Sequence, residues 1–293
     1  MKIKPLIQTL LILSSLGILT TQPSFAATVS AEAPTSAVIL NDLNFKTFFM
    51  KFYQKDIRYL KMKSLDEAQA VGLDDGHGNQ RYAVYMPVQR YQNLQGEQRF
   101  IVWIQIFDQE DGEINRGHPS RPVVEMYLFK KLENGTYQLL SQSYPEMDIS
   151  GSWGESHLEA QDFSKIKRVG KNQMGFSYGG GYTSTGEASE WEYLIVLNEN
   201  GWIQQYPFGF ASSNAGAHEE QDPEFGAYDI SYKLIADPQV SNLYPIEVLY
   251  TKRGNVDWRK LPKNGTKEVL NFNIKKNCYV HSDQSCDRMV DDD

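Results

Sequence analysis

The chain has 293 residues, of which 37 are acidic and 29 are lysine or arginine, a formal net charge of −8, and an aromatic content of 12%. Disordered chains are poor in aromatic residues, so this composition excludes a wholly disordered protein. The acidic balance disfavours a nucleic-acid partner, because binding to phosphate backbones needs a basic footprint. If the negative charge is grouped, it favours a cationic partner.

The N-terminus has the pattern of a signal peptide. Two lysines precede an apolar stretch at Leu6–Leu19, and Ser24–Ala26 forms an A-x-A-like cleavage pattern. The apolar stretch is shorter than the roughly 20 residues that span a bilayer, which makes an uncleaved anchor the lesser alternative. We therefore expect residues 1–26 to be removed, leaving a periplasmic or secreted protein with no membrane span in the mature chain. Its net charge would be −10, from 27 basic and 37 acidic residues.

A flexible spacer and a helix are expected next. Residues 27–37 are mostly small and polar and predict the spacer. Residues 38–72 are predicted to form an N-terminal helical segment, which Asn41 or Asp42 can cap. Its phenylalanines recur at three- and four-residue spacing, at Phe45, Phe48, Phe49 and Phe52. Such a stripe is typical of a helix that packs on a sheet, and less so of a helix on a membrane surface.

Residues 73–293 have the pattern of antiparallel β structure. Arg99–Phe107 is rich in aromatic and β-branched residues on both faces, which predicts a central strand. Turn residues separate the other predicted strands, which are Tyr82–Tyr91, Val123–Lys130, Thr136–Ser143, Met174–Tyr178, Glu190–Leu197, Trp202–Phe208, Tyr228–Ile235, Ile246–Thr251 and Glu268–Ile274. The predicted fold class is therefore mostly β, an antiparallel, hairpin-rich sandwich or irregular propeller-like domain with one N-terminal helix.

Three Asn-Gly pairs lie between predicted strands, at 134–135, 200–201 and 264–265. Asn-Gly favours the positive φ angles of a two-residue type I′ turn, so each pair predicts a tight hairpin. The first two pairs also share flanking residues at a separation of about 65 residues, which is compatible with a weak repeat or with coincidence among ordinary hairpins.

The two cysteines, Cys278 and Cys286, lie eight positions apart near the C-terminus. In an oxidising compartment they are expected to pair, which would clip the tail of the β-rich domain. The alternative is a metal site with His281 between them, but two cysteines and one histidine leave zinc one ligand short of a closed structural site. The sequence predicts no metal site and no cofactor.

The segment Gly175–Gly179 matches the G-x-S-x-G pattern of the hydrolase nucleophile elbow, with Ser177 as nucleophile. His218 or His281, with Asp222 or Asp229, could complete a catalytic triad. The triad that we nominate is Ser177, His218 and Asp222. The context argues against an elbow because no amphipathic helix follows the serine. The overlapping segment at 179–187 lacks the Gly-Lys-Ser/Thr ending of a phosphate loop and is interpreted as a mobile connection.

Two further patterns concern carboxylates and aromatic residues. Glu190 and Glu192 would share one strand face, which suits acid and base catalysis on a glycan only if another carboxylate faces them. The candidate binding residues are aromatic side chains in or beside glycine-rich loops, namely Trp153, Tyr178, Tyr182 and Trp191. Aromatic residues are enriched at binding surfaces, although most of them in any domain are buried in the core.

We therefore expect an exported, non-catalytic binding protein of the cell envelope whose partner is another protein or an envelope polymer. An immunity-type or inhibitor-type protein of the periplasm is one concrete form of this hypothesis. The alternatives are a secreted serine esterase-like hydrolase that uses Ser177, a glycan-acting hydrolase, and a self-associating scaffold.

Overall fold

The computed structural model describes residues 38–58, 70–74, 80–118, 120–144, 147–149, 151–237, 239–240, 242–255 and 262–286. The signal peptide and spacer predicted over residues 1–37 lie outside this part of the chain. Strands make up 54% of the structure, and the described residues contain one α-helix and one short 3₁₀ helix. The predicted mostly β class, with antiparallel hairpins and one N-terminal helix, is confirmed.

The first sheet is antiparallel and is built around one long strand. In chain order its strands are β1 (Ile39–Leu40), β2 (Ile57–Arg58), β3 (Ala70–Asp74), β4 (Gln80–Tyr85), β5 (Gln89–Gln92), β6 (Gln98–Glu110), β7 (Glu113–Ile114), β8 (Val123–Lys131), β9 (Tyr137–Gln142) and β10 (Met147–Asp148). Their order in the sheet is β1-β9-β8-β6-β4-β3-β2, with β5 and β7 paired to β6 and β10 paired to β8. Residues 99–107 of β6 are all buried, as expected for a central strand covered on both faces.

A small hairpin and a 3₁₀ helix connect the two sheets. The hairpin consists of β11 (Gly151–Ser152) and β12 (Glu155–Ser156), and the 3₁₀ helix covers Ala160–Lys165. In chain order the strands of the second sheet are β13 (Lys167–Arg168), β14 (Met174–Ser184), β15 (Glu187–Leu197), β16 (Gln204–Ser213), β17 (Gly226–Leu234), β18 (Ile246–Gly254), β19 (Lys267–Asn273) and β20 (Cys278–Val280). Each strand of this sheet pairs with the next one along the chain.

The second sheet curls into a half-barrel. β16 pairs with β17 only at Ser212 and Ser213, so the two strands diverge over most of their length. β20 comes back against β16, and the Tyr206 ring of β16 contacts the Phe272 ring of β19 at 4.9 Å. Burial of these aromatic side chains inside the curl gives the half-barrel its own apolar core.

The helix α1 (Phe45–Phe52) packs on the first sheet, as the phenylalanine spacing predicts. Phe48 and Phe49 are buried, and the Phe48 ring lies 4.9 Å from that of Tyr127 on β8. The predicted caps are wrong, because the side chain of Asn44 accepts the hydrogen bond from the Thr47 N–H at 2.8 Å. The predicted helical segment at 38–72 also contains β1, β2 and the start of β3.

A second apolar core lies between the two sheets. The Phe163 ring of the 3₁₀ helix lies 5.0 Å from that of Trp103 on β6 and 5.0 Å from that of Phe176 on β14. All three side chains are almost completely buried, and full burial of a phenylalanine contributes about 1.5–3 kcal/mol. The sheets therefore share one core and support each other.

The three Asn-Gly pairs lie in hairpin connections, but the predicted type I′ geometry is wrong. Gly135 and Gly265 have positive φ angles while the asparagines before them do not, and neither residue of the pair at 200–201 does. Both central residues have positive φ at three other two-residue connections, namely Asp111-Gly112, Trp153-Gly154 and Thr185-Gly186. These three are the turns that match the twist of a tight hairpin.

The glycine-rich segment at 179–187, predicted as a mobile connection, is instead the end of a regular hairpin. β14 and β15 stay paired from Met174 opposite Leu197 to Ser184 opposite Glu187. β16 pairs with β15 as far as Ser213 opposite Ala188. We call this three-stranded end of the second sheet, residues 179–192 and 209–213, the arm.

The disulfide between Cys278 and Cys286 is formed, with its Cα atoms 5.6 Å apart, and confirms the predicted pairing. The bond joins Cys286 to Cys278 at the start of β20, so it holds the residues after β20 close to the last strand of the second sheet. Neither helix in the described part of the chain is long and apolar enough to cross a bilayer.

Candidate functional site

Ser177 lies in the middle of β14 and not at a strand-to-helix turn. It is 8% exposed, and its hydroxyl oxygen accepts a hydrogen bond of 2.9 Å from the Tyr232 hydroxyl. The strand continues beyond it to Ser184. The sharp turn that exposes the serine of a nucleophile elbow is therefore absent at this position.

His218 and Asp222 lie together but far from Ser177. The His218 Nδ1 atom is 3.0 Å from an Asp222 carboxylate oxygen, in a loop that contacts the tip of the arm through the Gly186 carbonyl group. Seven residues of extended strand separate Ser177 from Ser184, about 23 Å at roughly 3.3 Å per residue. This distance exceeds the reach of a histidine side chain, so the structure does not assemble this triad.

The other two residues nominated for a triad bind elsewhere. Asp229 forms an ion pair of 3.2 Å with Arg253. His281 is buried, and its Nδ1 atom lies 3.2 Å from a carboxylate oxygen of buried Glu268, which also accepts a hydrogen bond from the Tyr250 hydroxyl. His281 therefore helps to hold the turn that follows β20 against β18 and β19.

Tyr178, one of the four candidate binding residues, belongs to the core between the sheets. Its ring is 1% exposed and stacks on that of Tyr193 at 5.2 Å. Strand alternation explains its position, because Phe176 and Tyr178 point to the same face of β14. This ring is not available to a partner.

Tyr182 and Trp191, two other candidates, lie together on the arm. Their rings stack at 5.8 Å, and the Trp191 ring lies 5.3 Å from that of Phe210 on β16. The three side chains lie on adjacent strands, beyond the end of the shared core. Tyr182 is 42% exposed, while Trp191 and Phe210 are half-buried. We call Tyr182, Trp191 and Phe210 the aromatic strip.

The strip follows from strand register and from glycine. Trp191 pairs with Gly180 on one side and with Phe210 on the other, so no side chain from β14 competes with the indole ring at that level. At Gly181 a Cβ atom would lie 1.9 Å from the carbonyl oxygen of Ser189, so only glycine fits this close pairing. The predicted strand ends at Phe208, whereas β16 continues to Ser213, so the position of Phe210 beside Trp191 follows only from the register.

Trp153, the fourth candidate, lies at the apex of the β11–β12 hairpin with a φ of 57° and is 56% exposed. Its ring contacts that of His118 at 4.8 Å. β11 lies against β14, and the His157 ring accepts a hydrogen bond of 3.0 Å from the Gly181 N–H. Trp153 is therefore an exposed aromatic residue on an element next to the arm.

A buried carboxyl group lies on the opposite face of the arm. One oxygen of Glu192 is buried with no hydrogen-bond partner in the described structure. Burial is the main cause that raises the pKa of Glu192, and the nearby charge of Glu190 raises it further. Burial also raises the pKa of Tyr232, which interacts with Glu192, to about 12. The sequence placed Glu190 and Glu192 on one face, but it gave no signal for the approach of Tyr232 from β17.

No group of three or more metal-ligating side chains occurs among the residues that the structure describes. Comparison of the chain with protein-family models, curated proteins and solved structures finds no match.

Proposed function

We propose that this chain is an exported, non-catalytic binding protein of the cell envelope that binds its partner on the aromatic strip. The observation that carries the proposal is the position of the strip, on three adjacent strands at the end of the second sheet and outside the core that the two sheets share. Aromatic side chains supply large contact area with few rotatable bonds, which suits them to interfaces.

Three features support export and binding over catalysis. The Cys278–Cys286 disulfide is typical of an oxidising compartment, and the N-terminal sequence has a signal-peptide pattern. Ser177 has a tyrosine hydroxyl as its partner in place of a histidine base. An inhibitor of the immunity type, which neutralises another protein in the periplasm, is one form that such a binding protein can take.

Site-specific photocrosslinking in living cells tests the proposal. A benzophenone side chain in place of Tyr182 should yield one dominant covalent adduct, because the ring faces the partner. The matched control is Tyr144, which is 54% exposed and packs against Trp202 at 5.5 Å, on a different part of the molecule. The Trp191→Ala variant should reduce the adduct at position 182. Equal adduct patterns at 182 and 144, or none at 182, would count against the proposal.

A glycan-acting hydrolase is the second candidate, because the raised pKa of Glu192 is a property that a general acid needs. A screen of chromogenic esters and glycosides tests it, with Glu192→Gln and Ser177→Ala as variants. The binding hypothesis predicts no turnover by the native protein. Turnover that Glu192→Gln abolishes and Ser177→Ala retains would establish the hydrolase instead.

A further inference from the structure

The negative charge of the chain is concentrated in one segment. Residues 172–232 contain no lysine and no arginine, and they contain nine of the 37 acidic residues. The rest of the chain is nearly balanced, with 28 acidic residues against 29 lysines and arginines. The net charge of −8 therefore arises from this segment.

This segment builds the arm and the loop that braces it. It covers all of β14, β15 and β16 and most of β17, so it contains the whole aromatic strip. The loop between β16 and β17 contacts the tip of the arm, where the Gly216 N–H donates a hydrogen bond of 3.1 Å to the Gly186 carbonyl oxygen. The acidic side chains and the aromatic strip therefore lie on the same arm and its bracing loop, with Glu187 on the face of β15 that carries Trp191 and Glu190 on the other face.

Some of these acids are neutralised from outside the segment. Arg99 of β6 binds Glu199, and Arg253 of β18 binds Glu220 and Asp229. Four exposed acids have no ion pair with lysine or arginine in the described part of the chain, namely Glu187, Glu190, Glu219 and Glu224. Their charge faces solvent around the arm.

We infer that the partner of the arm is a protein with a basic surface, an inference that rests on the proposed function. Lysine and arginine side chains of the partner would pair with the exposed acids, and arginine would also stack on the rings of the strip. Electrostatic attraction of this kind raises association rates and selects partners by charge. An anionic envelope polymer is disfavoured because it would meet charge of the same sign.

The test uses a defined probe, cytochrome c, which is a small, folded, basic protein. Its affinity for the native chain is measured at low salt and again at about 150 mM salt, where screening weakens contacts between exposed charges. Succinylated cytochrome c, whose lysines carry carboxylates, is the matched probe of opposite charge. We expect binding of the basic form only, with an affinity that falls as salt rises.

Two triple variants locate the binding surface. The arm variant carries Glu187→Gln, Glu190→Gln and Glu219→Gln, and the control variant carries Glu110→Gln, Glu113→Gln and Glu133→Gln at exposed sites on the first sheet. Both variants lose the same three charges. We expect the arm variant to bind cytochrome c about tenfold more weakly than the control variant.

Equal binding by the two triple variants would overturn the inference, since net charge alone would then explain the attraction. Equal binding of native and succinylated cytochrome c would overturn it as well. Failure here leaves the crosslinking result at Tyr182 untouched, so the proposed function and the basic nature of the partner are tested separately.

Discussion

The carboxyl group of Glu192 lies where the curl of the second sheet excludes most water. Tyr232 reaches it from β17, and Gly179 of β14 lies so close that a Cβ atom there would be 3.0 Å from a Glu192 oxygen. A buried carboxylate with one unpartnered oxygen opposes folding, because the interaction with Tyr232 offsets only part of the desolvation of the charge. The neutral acid is therefore the form that the folded state favours.

This environment predicts a pH-dependent stability that Glu192→Gln removes. The pKa of Glu192 is raised in the folded state. The contribution of this side chain to the free energy of unfolding is therefore complete at pH values below the ordinary pKa of glutamate, and it is lost as pH rises through the raised pKa. The variant keeps a neutral side chain, so it should be more stable than the native chain at pH 7, by about 1 kcal/mol, and similar at pH 4. Urea unfolding from pH 4 to pH 8 measures this difference.

Glu187→Gln provides the control, because Glu187 is exposed on the same strand. It should leave the dependence of stability on pH close to that of the native chain. If the free energies of unfolding of the native chain and of Glu192→Gln change by the same amount between pH 5 and pH 8, this account of the carboxyl group is contradicted.

The arm is the element on which the proposed function depends, and its tip depends on glycine. Gly186 has a φ of 88°, and a Cβ atom there would lie 2.8 Å from the backbone nitrogen of Ala217. Gly135, in the β8–β9 connection, has a φ of 86° but nothing within 4 Å of such an atom. The two positions share the backbone conformation and differ in the space around it.

Alanine at these two positions should therefore have unequal effects. Gly135→Ala carries only the penalty of a left-handed conformation, about 1 kcal/mol. Gly186→Ala adds a steric conflict with the bracing loop and should cost at least about 2 kcal/mol. The free energies of unfolding in urea measure both costs. Equal costs would mean that the loop does not brace the arm.

The long strands could be predicted from the sequence, but the arm could not. β6 and β8 carry runs of β-branched and aromatic residues, so composition alone locates them. β14 continues through three consecutive glycines, which have low strand propensity, and it is held there by its register with β15. The stacking of Tyr182 on Trp191 is a consequence of that register, so both residues could be nominated from sequence while their contact could not.

The serine motif illustrates the same limit. The pattern around Ser177 involves only five neighbouring residues, whereas a nucleophile elbow also requires a sharp turn and a histidine from a distant part of the chain. The hydroxyl partner of Ser177 is Tyr232, which lies 55 positions along the chain. Only the curl of the second sheet brings the two together.

At the scale of the whole molecule, the described parts of the two sheets are joined by a shared core and by an ion pair between buried Arg99 and half-buried Glu199. Arg99 of β6 donates from Nε to one Glu199 oxygen at 2.9 Å and from Nη2 to the other at 2.8 Å. Glu199 lies in the connection between β15 and β16, so this fork links the first sheet to the second. Both sheets belong to one compact unit, and we expect them to unfold in a single cooperative transition.

Arg99→Lys tests both the link and the cooperativity. Lysine cannot form the two parallel hydrogen bonds of the guanidinium group, so the variant should lose roughly 1–3 kcal/mol of stability. Glu97→Gln, which removes the more exposed carboxylate partner of Arg99, should cost less stability than Arg99→Lys. Tryptophan fluorescence and far-UV circular dichroism should shift together in both variants, because Trp103 and the strands of both sheets report on one core. A variant in which the two signals separate would show that the sheets fold independently and that the core between them contributes little.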